Sequence, residues 1–286
     1  MQIISNYKHD DRLRAQLNLL ARNTFSLDFE PWYQAGFWDE RYVPYSVIED
    51  EHIVANVSTY RVSVVREDKA YSAAMIGTVM TETAYRGRGY ARTLMQTVLD
   101  DCKQDTDFVY LFANNTVLDF YPQFGFTRVD ENQCVVKIKG AANLQNAAGD
   151  QPRRLDIAKP EDYAVLDRLL DTGIPAPKRL LVPTIRSLVM FYCQSYYKNS
   201  VLYYPKHDLV VFYHDGVLLD YYSGAPVALS EVIALLAPDA EELPLGFTPE
   251  NTEGLAVYYQ KDGDNLFITN PAIVADNIMF PTLSRA

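Results

Sequence analysis

Basic charge is what this chain of 286 residues has too little of: 26 lysines and arginines face 37 aspartates and glutamates, a net charge of -11. A protein held to nucleic acid or to an anionic membrane draws its affinity from neutralised phosphates, so this balance argues against both partners and suits a neutral or cationic one. Cysteine is scarce as well. Cys102, Cys134 and Cys193 are odd in number, far apart and without metal-ligand spacing to any of the four histidines. That argues against a disulfide framework and a cysteine-ligated metal, and buried, reduced thiols and no metal are expected. No apolar run approaches the roughly 20 residues that span a bilayer, and the start MQIISNYKHDDRLRAQ lacks the apolar core of a signal peptide, so a cytoplasmic protein is expected. Apolar and aromatic side chains are plentiful, at 48% and 13%, enough for one large domain or two of ordinary size.

The periodicity changes several times along the chain. Leu13, Leu17, Leu20 and Ala21 share one face of a helix behind the cap residue Asp10. Two strands about a polar turn at Glu49 to Glu51 follow, and then AAMIGTVMT as a third. From Tyr90 the spacing of Ala91, Leu94, Met95, Val98, Leu99 and Cys102 is helical. DFVYLFAN reads as a strand buried on both faces, and TVLDFYPQF as a short helix stopped near Pro122. Residues 140–152, rich in Gly, Asn, Asp and Pro, read as a linker between a first domain, 1–139, and a second, 153–286. In the second half the order of elements partly repeats. RRLDIAKPEDYAVLDRLL is a strand and a helix, strands flank a turn at His214-Asp215-Gly216, ALSEVIALLA is a helix, and LAVYYQKDGDNLFIT is a hairpin about Asp262-Gly263.

The chemistry concentrates in TETAYRGRGYARTLM, where an apolar strand yields to a helix. A glycine-bearing turn at that junction leaves unpaired backbone N–H groups at the positive end of the helix dipole, which makes an anion site. Gly87 and Gly89 permit the backbone angles such a turn needs, and Arg86, Arg88 and Arg92 add charge. The spacing matches neither the P-loop nor the dinucleotide fingerprint. Arg86-x-x-Gly89-x-Ala91 resembles instead the acyl-CoA pyrophosphate loop of the GNAT acetyltransferase superfamily, and NNTVLDFYPQFGF resembles that family's second motif, with Asn114, Tyr121, Gly125 and Phe126 in register. Val117 stands where the family has a small residue. The resemblance covers residues 1–139.

It implies an α/β fold with a mixed, mostly antiparallel central sheet flanked by helices, and an N-acetyltransferase that uses acetyl-CoA and no metal. Gly87 to Ala91, Tyr90 included, would bind the pyrophosphate through their backbone, with Arg86, Arg88 and Arg92 around it. Val79, Met80 and Thr81 would pair with the pantetheine arm, and Asn114 would lie where the next strand parts from them. Tyr121 corresponds to the general acid that protonates the departing thiolate. A phenol with its ordinary pKa near 10 keeps its proton at neutral pH. The base is open: where the family often places a Glu this chain has Met75, which leaves Glu82 acting through water, His52, water leading to bulk, or a group from the second half. The acceptor would be a primary amine of a small molecule or a peptide. Trp32 and Trp38, with Glu30, Asp39 and Glu40, suggest an aromatic and acidic wall for its ammonium group.

The second half has no such loop; at the corresponding place it reads YYSGAPVALSEV, without arginine. It is expected to be a diverged copy of the same fold without the cofactor site, covering the acceptor cleft or forming a homodimer. Its tyrosine-rich segments suit an interface and a core equally. A non-enzymatic acyl-CoA-binding sensor or scaffold is the competing reading, and a different phosphate ligand at the loop a third.

Overall fold

The computed structural model describes residues 1–138, 151–183, 185–236, 240–251, 256–261 and 265–285. Strand β1 (Gln2–Ser5) leads into helix α1 (Asp11–Phe25), where the Asp10 carboxylate accepts the Leu13 N–H at 3.0 Å and Leu13, Leu17, Leu20 and Ala21 are the buried face. Helix α2 (Glu30–Gln34) starts with Pro31, whose missing N–H costs nothing in a first turn. Strands β2 (Tyr42–Glu49), β3 (His52–Arg66) and β4 (Lys69–Thr81) are joined by two-residue turns at Asp50-Glu51 and Glu67-Asp68. All four turn residues have positive φ, the geometry that matches the twist of paired strands. Helix α3 (Tyr90–Cys102) buries Leu94, Met95, Val98, Leu99 and Cys102, and β5 (Phe108–Ala113) is apolar throughout, as the periodicity predicts. The helix expected before Pro122 is instead a 3-10 turn, Tyr121–Phe124, with Pro122 in its first turn, the one place where a helix tolerates it. Strands β6 (Thr127–Val129) and β7 (Asn132–Lys137) follow.

Beyond residue 150 come β8 (Arg153–Arg154), α4 (Pro160–Thr172), β9 (Ile174–Pro175), α5 (Arg186–Gln194), β10 (Val201–Tyr204), β11 (Leu209–His214) and β12 (Val217–Ser223). Then come α6 (Leu229–Leu236), β13 (Glu242–Pro244), β14 (Ala256–Lys261) and β15 (Asn265–Ile268). The turn at Asp215-Gly216 lies where the sequence puts it, with both φ values positive. Apart from β9, which falls between α4 and α5, the order β8, α4, α5, β10, β11, β12, α6, β13 follows that of β1, α1, α2, β2, β3, β4, α3, β5. The counterpart of the glycine-arginine loop, after β12, is filled from within: a Cβ on Gly224 would lie 2.2 Å from the Asp208 carboxylate, which Arg168 and Tyr203 hold.

The chain forms two compact units. The first comprises Met1–Val129 with residues 265–275 and Arg285, the second the described residues of 130–263 and 276–284. Residues 130–137, read from sequence as part of the first domain, therefore fall in the second unit, and 265–275, read as part of the second, fall in the first. Strand pairing is the reason. In the second unit β7 lies between β13 and β14, beside a five-stranded sheet of order β8-β10-β11-β12-β9. In the first unit the sheet has the order β1-β2-β3-β4-β5-β15-β6, antiparallel except for β4 and β5, with α3 packed on it. The hairpin expected over 255–269 is not formed: β14 and β15 join different sheets, and Asp262-Gly263 lies outside the described residues. Residues 140–150 of the expected linker lie outside them too.

In the core of the second unit Lys178 Nζ pairs with Asp220 Oδ2 at 2.6 Å, with side chains 2% and 0% exposed. Burial pushes the Asp220 carboxyl up, and Lys178 opposes that shift. Removing one partner strands the other charge in the core. Asp220→Ala should cost about 3–5 kcal/mol of stability, and the joint change Lys178→Met with Asp220→Leu far less. Urea unfolding of the three proteins measures both.

Candidate active site

Strand β4 pairs with β5 only over Ala73–Ile76, against Phe108–Leu111. Past Ile76 the two strands diverge: β4 runs on to Thr81 paired with β3 alone, and β5 to Ala113. The edge of residues 77–81 that faces away from β3 thus offers backbone donors and acceptors to an extended ligand. Val79, Met80 and Thr81 lie on this stretch, as the sequence predicts, with Met80 buried and the other two partly so.

The divergence begins at a bulge. Between Gly77, opposite Ser58, and Met80, opposite Asn56, β4 carries two residues against one, and Thr78 has φ +46°. Asn56, wholly buried, holds this shape: its amide donates to the Thr78 carbonyl and to Ser58 Oγ, both at 2.9 Å, and its Oδ1 accepts from Ser46 Oγ at 2.9 Å. Tyr7 meets Ser46 Oγ at 2.6 Å, and Tyr42 donates to Ser58 Oγ at 2.9 Å. Sequence reasoning passed over this network. Its signal was present in VANVSTY, where Asn56 and Ser58 interrupt an apolar strand at a spacing of two.

Beyond β4, Gly87 and Gly89 have φ +77° and +82°, and a Cβ on either would meet nothing within 4 Å. Backbone angle, not crowding, requires glycine here, and the space before them is open. The first backbone bond of α3 runs from the Thr93 N–H to the Gly89 carbonyl at 3.0 Å, so the N–H groups of Tyr90, Ala91 and Arg92 have no acceptor within the helix. Arg86, Arg88 and Arg92 are exposed around them. Arg86 donates to the Thr81 carbonyl, Arg88 lies 4.7 Å from the Tyr85 ring, and Arg92 bonds Gln123 beside Phe124. Among the described residues none of the three pairs with a carboxylate within 4.0 Å. The nearest acidic influence is Glu49, which accepts from the Tyr90 hydroxyl at 2.8 Å and whose carboxyl is lowered in part by Arg88.

Tyr121 is 5% exposed and packs against Phe120, Phe126 and Phe267, with ring centroids 5.2, 6.2 and 5.4 Å away. Its hydroxyl makes no hydrogen bond to any described residue, and burial pushes its pKa up to about 12. Asn114, just past β5, is exposed, and its Oδ1 accepts the Thr116 N–H at 2.9 Å in a local turn. Met75 is fully buried in the sheet, so β4 presents no carboxylate there. Glu82 and His52, both exposed, line one cavity of about 720 Å³ between α1 and the end of β4, with Gln16, Leu19 and Arg86.

The aromatic residues after α1 are not where the sequence suggests. Trp32 and Trp38 are each 3% exposed, stacked on each other at 5.8 Å and packed on Phe29 and Tyr42. Their rings fill the core under the sheet rather than face an acceptor. Glu30 is taken up by Arg14, which it receives at 2.9 and 3.0 Å, and by Asn18 and Gln34. Its carboxyl is held below the usual range chiefly by Arg14. Asp39 and Glu40 pair with Arg41 and Lys8. The Glu30–Arg14 pair joins α2 to α1, and Asp39 and Glu40 are partnered outside the two helices. Among the described residues no cluster of His, Cys, Asp and Glu could hold a metal, and no helix is long and apolar enough to cross a membrane.

Residues 10–129 match the family model of the acetyltransferase (GNAT) domain. No curated protein matches the chain. Among solved structures, a GCN5-related N-acetyltransferase from Kribbella flavida superposes with a TM-score of 0.57 at 16% identity, over 96% of this chain and 73% of that one. A conserved protein of unknown function from Enterococcus faecalis V583, a probable N-acyltransferase, gives 0.56 at 14% identity, over 93% and 71%. Eis1 from Mycobacterium abscessus gives 0.56 at 16%, over 93% and 72%. At these identities the likeness is one of fold, and it extends through both units.

Asn56→Ala should leave the Thr78 carbonyl without the Asn56 donor and the Ser46 and Ser58 hydroxyls with only Tyr7 and Tyr42 of the partners described above, at a cost of about 1–3 kcal/mol. The urea midpoint reports that loss. The bulge loosens with it, so ligand binding along β4 should weaken in protein that is still folded.

Proposed function

Because the chain carries a GNAT acetyltransferase domain over residues 10–129, we propose that it moves the acetyl group of acetyl-CoA to a primary amine of a small molecule or peptide, with Tyr121 as general acid. The observation that carries this reading is the parting of β4 from β5 just ahead of the open Gly87-Gly89 turn. A ligand with a long amide-bearing arm and a pyrophosphate at one end fits those two features together. The arm pairs with residues 79–81 as an added strand would, and the pyrophosphate meets the N–H groups of residues 87–91 and the three arginines.

The attacking amine must be neutral. An alkylamine of pKa about 10.4 is neutral in only about one molecule in a few thousand at pH 7. Glu82 takes up its proton through water, and the cavity that Glu82 lines with His52 leads in from solvent. Nitrogen attacks the thioester carbonyl, the C–S bond breaks, and the Tyr121 hydroxyl gives its proton to the departing sulfur. An unpartnered hydroxyl in an apolar ring of aromatic side chains suits that role: it keeps its proton and has no competing acceptor. A net charge of -11 is compatible with a cationic acceptor and poorly matched to nucleic acid or an anionic membrane. A non-enzymatic acyl-CoA sensor is the second reading, favoured by the buried Met75 where a carboxylate could have stood.

Calorimetric titration with acetyl-CoA tests the site without knowledge of the acceptor: the parent should bind, and a folded Arg86→Glu, Gly89→Asp variant should not. With an amine found by screening, Tyr121→Phe should lower kcat about 10²–10⁴-fold with acetyl-CoA affinity within about twofold of the parent. Tight binding without turnover of any amine would favour the sensor.

The pH profile follows from the raised Tyr121 pKa. The acid acts in its protonated form, and a pKa of about 12 keeps it protonated through pH 10, where an ordinary phenol is half ionised. The rate should therefore rise with pH as the amine loses its proton and show no alkaline fall below pH 10.

A further inference from the structure

The sheet of the first unit is completed by a strand from far along the chain. β15 lies between β5 and β6, with Asn265 opposite Ala113 and Phe267 opposite Leu111. Two of its residues do more than fill a sheet. Asn265 is 3% exposed, and its amide donates to the Ala113 carbonyl and to Asn115 Oδ1, both at 2.9 Å. These acceptors flank Asn114, just past the end of β5 and beyond the stretch where β5 pairs with β4. A buried amide is costly unless fully used, and this one is used to hold that end of β5. Phe267 is 1% exposed and lies ring to ring with Tyr121 at 5.4 Å. Since the Tyr121 hydroxyl has no hydrogen bond to a described residue, ring packing alone fixes where it points, and Phe267 is the one of its three aromatic neighbours that comes from outside the Asn114–Phe126 motif.

We propose that Asn265 and Phe267 are positioning residues of the acyl-transfer site: Phe267 orients the Tyr121 ring and keeps it dry, and Asn265 fixes the end of β5 at the mouth of the cleft. This rests on Tyr121 as the acid. It means that the site is built from two segments, residues 73–126 and 265–267, separated by nearly all of the second unit. The burial that raises the Tyr121 pKa is in part the work of Phe267.

The test uses the full chain with ¹³C-labelled tyrosine, the Tyr121 signal being identified by its absence in Tyr121→Phe. At pH 10 the parent's Tyr121 should be almost wholly protonated, and that of Phe267→Leu, which keeps apolar bulk but loses the ring, should be ionised in a substantial fraction. Ile268→Val, on the same strand opposite Tyr110, serves as the control for general loosening and should match the parent. Asn265→Ala should bind acetyl-CoA about tenfold more weakly in calorimetry while its Tyr121 signal stays protonated. If Phe267→Leu does not fold, Phe267→Met is read in the same way. A Tyr121 signal in the folded variant identical to the parent's, or equal movement in Ile268→Val, overturns the role of Phe267. Parental acetyl-CoA affinity in Asn265→Ala overturns that of Asn265. Full turnover by Tyr121→Phe would instead remove the acid role on which the proposal rests, and the titration would still report whether Phe267 shields that ring.

Discussion

The molecule's chemistry depends on one interruption in its hydrogen-bonded ladder. A sheet strand that loses a neighbour must leave backbone groups facing water or a ligand, and β4 does so after Ile76 while remaining paired with β3 on its other side. That arrangement is not cheap to keep. It requires a bulge with Thr78 in a conformation few side chains adopt, and the bulge requires the buried amide of Asn56 with the hydroxyls of Ser46, Ser58, Tyr7 and Tyr42. The polar network below and the open edge above are two faces of the same constraint. Past it, the glycine turn and the start of α3 add free N–H groups and positive charge in continuation of the strand.

Much of this was legible because it is local. Helices α1 and α3 follow from apolar spacing and from Asp10; the turns at residues 49–51 and 214–216 follow from clustered polar residues; the loop follows from Gly87 and Gly89, whose φ values demand glycine. Tyr121 could be found by its place in a motif, though its unpartnered hydroxyl could not. What escaped was what depends on distant partners. NLFI has the composition of any short buried strand, and nothing in those four residues says that their neighbours are β5 and β6 rather than β14. The same holds for β7, which leaves the sheet that its neighbour β6 joins. Tryptophans among acidic residues suit a binding wall and a core staple alike, and it is the 3% exposure of Trp32 and Trp38, with Glu30, Asp39 and Glu40 paired to Arg14, Arg41 and Lys8, that decides for the core.

The second unit largely repeats the order of elements, with β9 added between α4 and α5, but its loop after β12 is built differently. Its loop after β12 has no arginine, and the space that a ligand would need at Gly224 belongs to Asp208, itself neutralised by Arg168.

The position of β15 also sets the order of events during synthesis. A nascent chain that has reached β6 holds most of the first unit, yet the gap between β5 and β6 stays empty until β14 has passed and residues 265–268 emerge. Closing a loop of that length is slow compared with forming hairpins such as β2–β3. Until then the apolar edge of β5 is exposed to any other strand that can pair with it, and the ribosome-bound intermediate is one that chaperones would have to shield.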